Sequence, residues 1–366
     1  MVAGFAAILL SPRRANKISA LTFFRTISFA ALVCSASFLA AQSPTPSPGE
    51  PQSLVDSLAP GEIDEAVRAL KSNFIDPTAL KDQEITSATL QGLLARLRGG
   101  AVLLPGKANA ETPAPFYGDL LANRIGYARL GSFTKENLAE LDKALANFSA
   151  KKADAVVIDL RASTVSGEFD VASEIAKRFV PKGKTMWTLH KVSARQDQPF
   201  TNERDPVFSG ITIGLIDGDT SGAAEAVGAA LKVKPQSLLI GQPSAGRAVE
   251  YSDFPLASGK ILRVAVGEVM GPDGQSLFPG GVKPDLPVEM APGQKRQIFV
   301  ASIQRGMSPF VFEAERPHFN EAALISGSNP ELDSRPPRRG AEEAPHDAVL
   351  QRAVDVITSL AVFGKH

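Results

Sequence analysis

An α/β fold on a mainly parallel sheet is the class this sequence predicts, and three observations predict it. Short apolar runs alternate with helical patterns between residues 125 and 241, the order that βα units produce. The composition is globular, with 44% hydrophobic and 21% charged residues over a 366-residue chain. The run Ile211–Ile216 passes through a polar turn, Asp217-Gly218-Asp219-Thr220-Ser221, into a small-residue helical stretch, Gly222–Leu231. Such a strand–turn–helix layout sets free backbone N–H groups beside a turn where α/β hydrolytic enzymes often carry a nucleophile.

The N-terminal stretch lies outside that pattern. The first 41 residues hold Arg13, Arg14, Lys17 and Arg25 and no acid; an apolar run from Ile27 to Ala41 follows and ends Leu39-Ala40-Ala41-Gln42. This order reads as an export signal over 1–41, giving a mature chain that starts near Gln42 in the periplasm or outside the cell. The run has 15 residues, short of the ~20 that span a bilayer, so no stable membrane span is expected after cleavage. An uncleaved anchor is the weaker alternative. Cys34, the only cysteine, lies inside the run, which leaves the mature chain without disulfide or thiol chemistry. The chain carries 39 basic and 39 acidic residues, and 35 against 39 without residues 1–41. That balance gives no reason to expect a nucleic-acid partner.

The elements follow in order. Residues 42–60 are rich in Ser, Pro and Gly and predict a disordered linker. Helical spacing over Glu62–Phe74 and again over Ile85–Leu97 predicts a helical cap at 61–100. Gly99–Phe116 reads as a loop, and an α/β core spans 117–300. Its strand candidates are Ile125–Leu130, Ala155–Leu160, Thr185–Leu189, Ile211–Ile216 and Leu238–Ile240; its helix candidates are Glu136–Phe148, Glu168–Phe179 and Gly222–Leu231. Ala248–Leu256 and Lys260–Met270 alternate around Ser258-Gly259 and predict a β-hairpin. Residues 328–346 are charged and proline-rich, hence flexible, and 347–366 end the chain in an amphipathic helix.

Several of these segments, taken together, resemble the C-terminal processing, or tail-specific, serine peptidases. They are Ile125-Gly126-Tyr127-Ala128-Arg129-Leu130, Val157-Ile158-Asp159-Leu160-Arg161, Ile175-Ala176 with Phe179-Val180-Pro181-Lys182-Gly183-Lys184, Leu239-Ile240-Gly241-Gln242 and Gly281-Val282-Lys283-Pro284-Asp285. Phe74-Ile75-Asp76-Pro77 resembles the start of that family's helical region. The likeness covers about residues 62–290 and implies a ClpP/crotonase-like core. The family usually inserts a PDZ domain before that core. Between Leu97 and Ile125 there is no room for one, because a small independently folded domain wants ~80 residues or more.

The resemblance also implies where catalytic groups would sit, and there the sequence departs from it. The family's nucleophile is the middle serine of a Gly-Ser-Ala-Ser-Ala-Ser-Glu run; anchoring on Glu225 puts it at Gly222. Its general-base lysine falls on Arg247, and a glutamine four positions further on falls on Tyr251. The oxyanion turn falls on Ala162–Gly167, with Ser166, Gly167 and the Ala223 N–H as the oxyanion region. Glycine offers no nucleophile. Arginine stays protonated and cannot take a serine proton as a desolvated lysine can. Ser221 is the fallback nucleophile, with helix capping as its ordinary role. The four histidines, His190, His318, His346 and His366, stand in no context that marks a triad member. No ligand spacing suggests a metal, and no cofactor motif appears.

Two readings from different classes result. The first is an exported, degenerate family member in which Arg247 and the N–H groups at Gly222 bind a carboxylate, with a peptide or protein C-terminus as the partner. The second is an active serine-type peptidase using Ser221 with an altered base. A crotonase-like enzyme on other substrates is a third, for which no residue pair speaks. Oligomeric state is not legible in the sequence.

Overall fold

The computed structural model describes residues 55–106, 112–163, 167–191, 195–311 and 345–363. The expected signal at 1–41, most of the linker, Cys34, Ser166, His318, His366 and most of the flexible segment lie outside them. The chain divides into two units, Met1–Thr78 and Ala79–His366. In the first, helix α1 (Pro60–Asn73) starts with proline in its first turn, where the missing N–H costs nothing. The Glu62 carboxylate accepts the Ala59 N–H at 2.7 Å. The second unit opens with α2 (Asp82–Arg96), and no residue of either helix is buried.

Six strands form the main sheet of the second unit. They are β2 (Tyr117–Leu121), β3 (Ile125–Arg129), β4 (Ala155–Asp159), β7 (Ile211–Ile216), β8 (Ser237–Gly241) and β11 (Leu286–Pro287), in spatial order β11-β8-β7-β4-β3-β2. All neighbours run parallel except β2, which pairs antiparallel with β3. The central strands read as near-continuous apolar runs because both faces are covered. Val156 and Ile158 of β4 point into one core and Ala155 and Val157 into the other. The first core lies under α3 (Lys135–Ala150), α4 (Phe169–Ala176) and α5 (Ala223–Leu231); the second lies under α6 (Pro292–Arg305) and α7 (Ala348–Phe363). All nine residues of α5 are buried, which explains its alanine-rich sequence.

A second, antiparallel sheet is made of β1 (Ala101–Leu104), β5 (Thr185–Lys191), β6 (Gln196–Thr201), β9 (Val249–Pro255) and β10 (Ile261–Met270). The β9–β10 pair is the expected hairpin. Four expectations need correction. The loop Gly99–Phe116 contains β1, whose four residues pair with β10. Thr185–Leu189 belongs to this antiparallel sheet, since a short connection to β6 forces antiparallel pairing. Helix α4 ends at Ala176 rather than Phe179, because beyond it the chain tightens into i→i+3 turns, with the Arg178 and Phe179 N–H groups donating to the Ile175 and Ala176 carbonyls at 3.1 and 3.0 Å. Helix α6 was not expected; its buried positions are Lys295, Ile298 and Ser302, two of them polar, so no apolar period announces it.

Candidate functional site

The Asp217–Gly222 turn joins the end of β7 to α5. Gly222 is the helix N-cap, with φ 63° and ψ −125°, a backbone conformation that strains any L side chain. The expectation that Ser221 caps this helix is therefore corrected by one position. The Gly222 N–H donates to Glu225 Oε2 at 3.0 Å, a carboxylate three residues ahead in the manner of a capping box. The Ala223 N–H donates to no acceptor among the described residues.

Glu225 does more than cap. Its Oε2 also accepts the Arg247 N–H at 2.7 Å, and its Oε1 accepts the Gly246 N–H at 2.6 Å and the Ser244 hydroxyl at 2.5 Å. The Ser244 Oγ in turn accepts the Val282 N–H at 2.7 Å. Burial raises the Glu225 pKa, and the four donors pull it the other way; four donors with no acceptor fit the ionised carboxylate. One oxygen thus holds the backbones of Gly222 and Arg247 together. Gly246 completes the approach: its φ is 66°, and a Cβ there would meet the Pro279 carbonyl oxygen at 2.1 Å.

The side chains at the expected stations complete the geometry. Arg247 is exposed, and its Nε stands 3.6 Å from where a Cβ on Gly99 would lie. Its guanidinium has no acidic partner among the described residues; nearby in sequence, Glu250 pairs with Lys191 at 2.7 Å. Tyr251 donates its hydroxyl to the Gly99 carbonyl at 2.9 Å, and burial raises its pKa. The Ser221 Oγ is buried with no hydrogen-bond partner among the described residues, as is that of Ser163. Gly167 is exposed, and its carbonyl accepts the Phe169 N–H at 2.8 Å. His190 lies elsewhere, on the antiparallel sheet, 2.5 Å from Asp197.

A second polar cluster sits at the carboxyl ends of β4 and β7, and sequence reasoning missed it. Arg161, 1% exposed, holds Asp159 and Asp347 with two contacts to each carboxylate, between 2.7 and 3.0 Å. Tyr127 donates to Asp159 at 2.7 Å. Burial pushes the Asp159 pKa up, but Arg161 and the hydrogen bonds from Arg161 and Tyr127 hold it below the ordinary value. Lys295 of α6 reaches Asp217 at 2.5 Å, Asp219 at 2.7 Å and the Arg161 carbonyl at 3.0 Å. The cluster therefore braces the turn carrying Gly222 and the start of the Ala162–Gly167 segment from the C-terminal helices. Among the described residues no group of three His, Cys, Asp or Glu side chains is placed to hold a metal ion. No helix among them is long and apolar enough to cross a membrane.

Residues 124–288 match Peptidase family S41. The chain is 25% identical over 183 residues to carboxyl-terminal-processing peptidase 1 of Arabidopsis thaliana chloroplasts, covering 49% of this chain and 37% of that protein. It is 24% identical over 174 residues to carboxy-terminal processing protease CtpA of Bacillus subtilis, covering 48% and 37%. The chain spans under two-fifths of the length of these curated relatives. Among solved structures, a putative peptidase from Parabacteroides merdae aligns with a TM-score of 0.49 at 18% identity, over 67% of this chain and 89% of that one. The photosystem II D1 C-terminal processing protease aligns at 0.42 and 19%, over 50% of each chain.

Proposed function

Residues 124–288 carry a Peptidase family S41 domain, and from that premise we propose that this chain binds the free carboxylate of a peptide or protein C-terminus without cutting it, as an exported binding or scaffold protein. One observation carries the reading. The elbow residue has no side chain, and the residue held against it by the shared Glu225 oxygen is an arginine whose guanidinium has no acidic partner among the described residues. A planar guanidinium and the unpaired Ala223 N–H suit a carboxylate. Neither can serve as nucleophile or take a proton at physiological pH. Ser221 does not fill the gap, since its hydroxyl meets no hydrogen-bonding partner among the described residues.

Two measurements test this. An active-site serine fluorophosphonate probe should leave the protein unlabelled, and peptide hydrolysis should be absent; labelling abolished by Ser221→Ala would establish the peptidase reading instead. Calorimetric titration should find short peptides with free C-termini bound more tightly than their amides by ~1.5–3 kcal/mol, the worth of a charge-assisted contact. Arg247→Ala should erase that difference. Equal affinities, or no binding at millimolar peptide, would overturn carboxylate recognition.

A further inference from the structure

A half-open, mainly apolar cavity lies at the far end of α5. It holds about 550 Å³ and is walled by the last turn of that helix, the 271–277 turn after β10 and the Gly281–Lys283 segment. This volume is within the range of small-molecule sites, and its construction is theirs too: an apolar floor with a few polar groups at the mouth. Ala229, Val233, Leu277 and Val282 make the floor, and Ala229, Leu277 and Val282 are each under a tenth exposed. The helix end beneath them presents no hungry carbonyls. Those of Ala229, Ala230 and Leu231 accept the N–H groups of Lys232, Val233 and Lys234 at 3.1–3.2 Å.

The mouth is one-sided in charge. Lys232 and Lys283 both line it. Lys232 has Asp285 at 3.0 Å, while Lys283 has no acidic partner among the described residues. The one acid in the lining, Asp273, turns its carboxylate into its own loop, accepting the Gln275 N–H at 3.1 Å. The Ser276 hydroxyl is likewise taken, by Glu268 and the Phe278 carbonyl. What remains for a ligand is a cation over an apolar floor.

We propose that this cavity is a binding site for a small amphiphile with an apolar chain and an anionic head, of the medium-chain carboxylate class. The chain lies on Val233, Leu277 and Val282, and the head meets the Lys283 ammonium. The site adjoins the elbow through Val282, whose N–H donates to the Ser244 Oγ, but the proposal does not rest on what binds at the elbow.

The test uses the full-length protein with sodium decanoate and decanol, each below its aggregation threshold, followed by calorimetry and ligand-observed NMR. Decanoate should bind at one site with a Kd below ~1 mM, and decanol about fivefold or more weaker, as the loss of a partly exposed charge contact predicts. Lys283→Glu should reduce decanoate affinity by at least the same factor while leaving decanol unchanged. Val233→Glu should abolish both. Lys283 is exposed, so its variant reports on the site even if Val233→Glu fails to fold. No decanoate binding at millimolar concentration, equal binding of the alcohol, or indifference to Lys283→Glu would each overturn the assignment.

Discussion

Two buried polar clusters organise the carboxyl end of the main sheet, and they differ in what they surround. At the elbow, Glu225 gathers three backbone N–H groups and a hydroxyl, so it fixes backbone around positions whose side chains are free to change. At the carboxyl ends of the central strands β4 and β7, Arg161 and Lys295 hold Asp159, Asp347, Asp217 and Asp219 through their own side chains. There each residue's identity is the structure. A region held by backbone clamps can change the side chains at the clamped positions while keeping its shape. A brace made of side-chain charges tolerates no such exchange.

Breaking the brace should therefore give the largest effect. Arg161→Met leaves two fully buried carboxylates without their cation, which costs about 3–5 kcal/mol. The midpoint of denaturant unfolding should fall accordingly. Removing the charges as well, with Asp159→Asn and Asp347→Asn, should recover much of the loss, since asparagine at position 347 can still accept the Leu350 N–H that now goes to Asp347 at 2.9 Å. No recovery would mean that packing of the Arg161 stem, not charge, dominates. Breaking the clamp should cost less. Glu225→Ala orphans several donors, for about 2–3 kcal/mol, and should also weaken any discrimination between free and amidated peptides, because the Arg247 backbone loses its anchor. A loss of stability with peptide discrimination intact would separate the clamp from the site.

Acid distinguishes the same two regions. The folded pKa of Asp159 lies below its ordinary value, so its contribution is present above the unfolded value and lost as pH falls through the folded one. Glu174 behaves alike on the exposed side of α4. Burial raises its pKa, but hydrogen bonds from Lys177, Arg204 and Arg178 bring it from 4.5 to about 2. Stability should thus decline as pH drops from about 4.5 towards 2. Glu174→Gln should flatten that decline slightly, because solvent screens its partners, and the Asp159→Asn variant of the brace should flatten it more. The opposite order would place the main acid sensitivity on the surface.

How much of this was legible in the sequence follows from the range of each interaction. The parallel strands were readable because both faces are buried and leave unbroken apolar runs such as Ala155–Leu160. The sequence placed Gly222 and Arg247 by anchoring on Glu225, and Glu225 is the residue that ties their backbones together. Its clamp could have been seen as well, from an acid three residues after a helix N-cap. The brace could not, since Arg161 and Asp347 are 186 positions apart and a buried cation has no periodic signal. Strands β1, β2 and β6 were missed for a related reason. All three lie at the end of a sheet, and β1 and β6 are partly exposed, so pairing rather than pattern defines them.

The smallest effect tests whether the elbow still has the shape of a catalytic one. At φ 63° and ψ −125° a side chain on residue 222 is strained, and glycine relieves that strain. Gly222→Ser should therefore destabilise the protein by about 1–2 kcal/mol, read as a lower thermal or denaturant midpoint. The serine alone should remain unlabelled by a fluorophosphonate, because Arg247 cannot accept its proton. Adding Arg247→Lys supplies a group that can deprotonate, on a backbone already held against the elbow by Glu225. Labelling should then appear in the double variant and in neither single one. Labelling by Gly222→Ser alone would show that another base is in reach and would turn the comparison around, making the elbow an active site short of one side chain. A neutral stability change would mean that the turn relaxes on substitution and that the retained elbow geometry belongs to glycine.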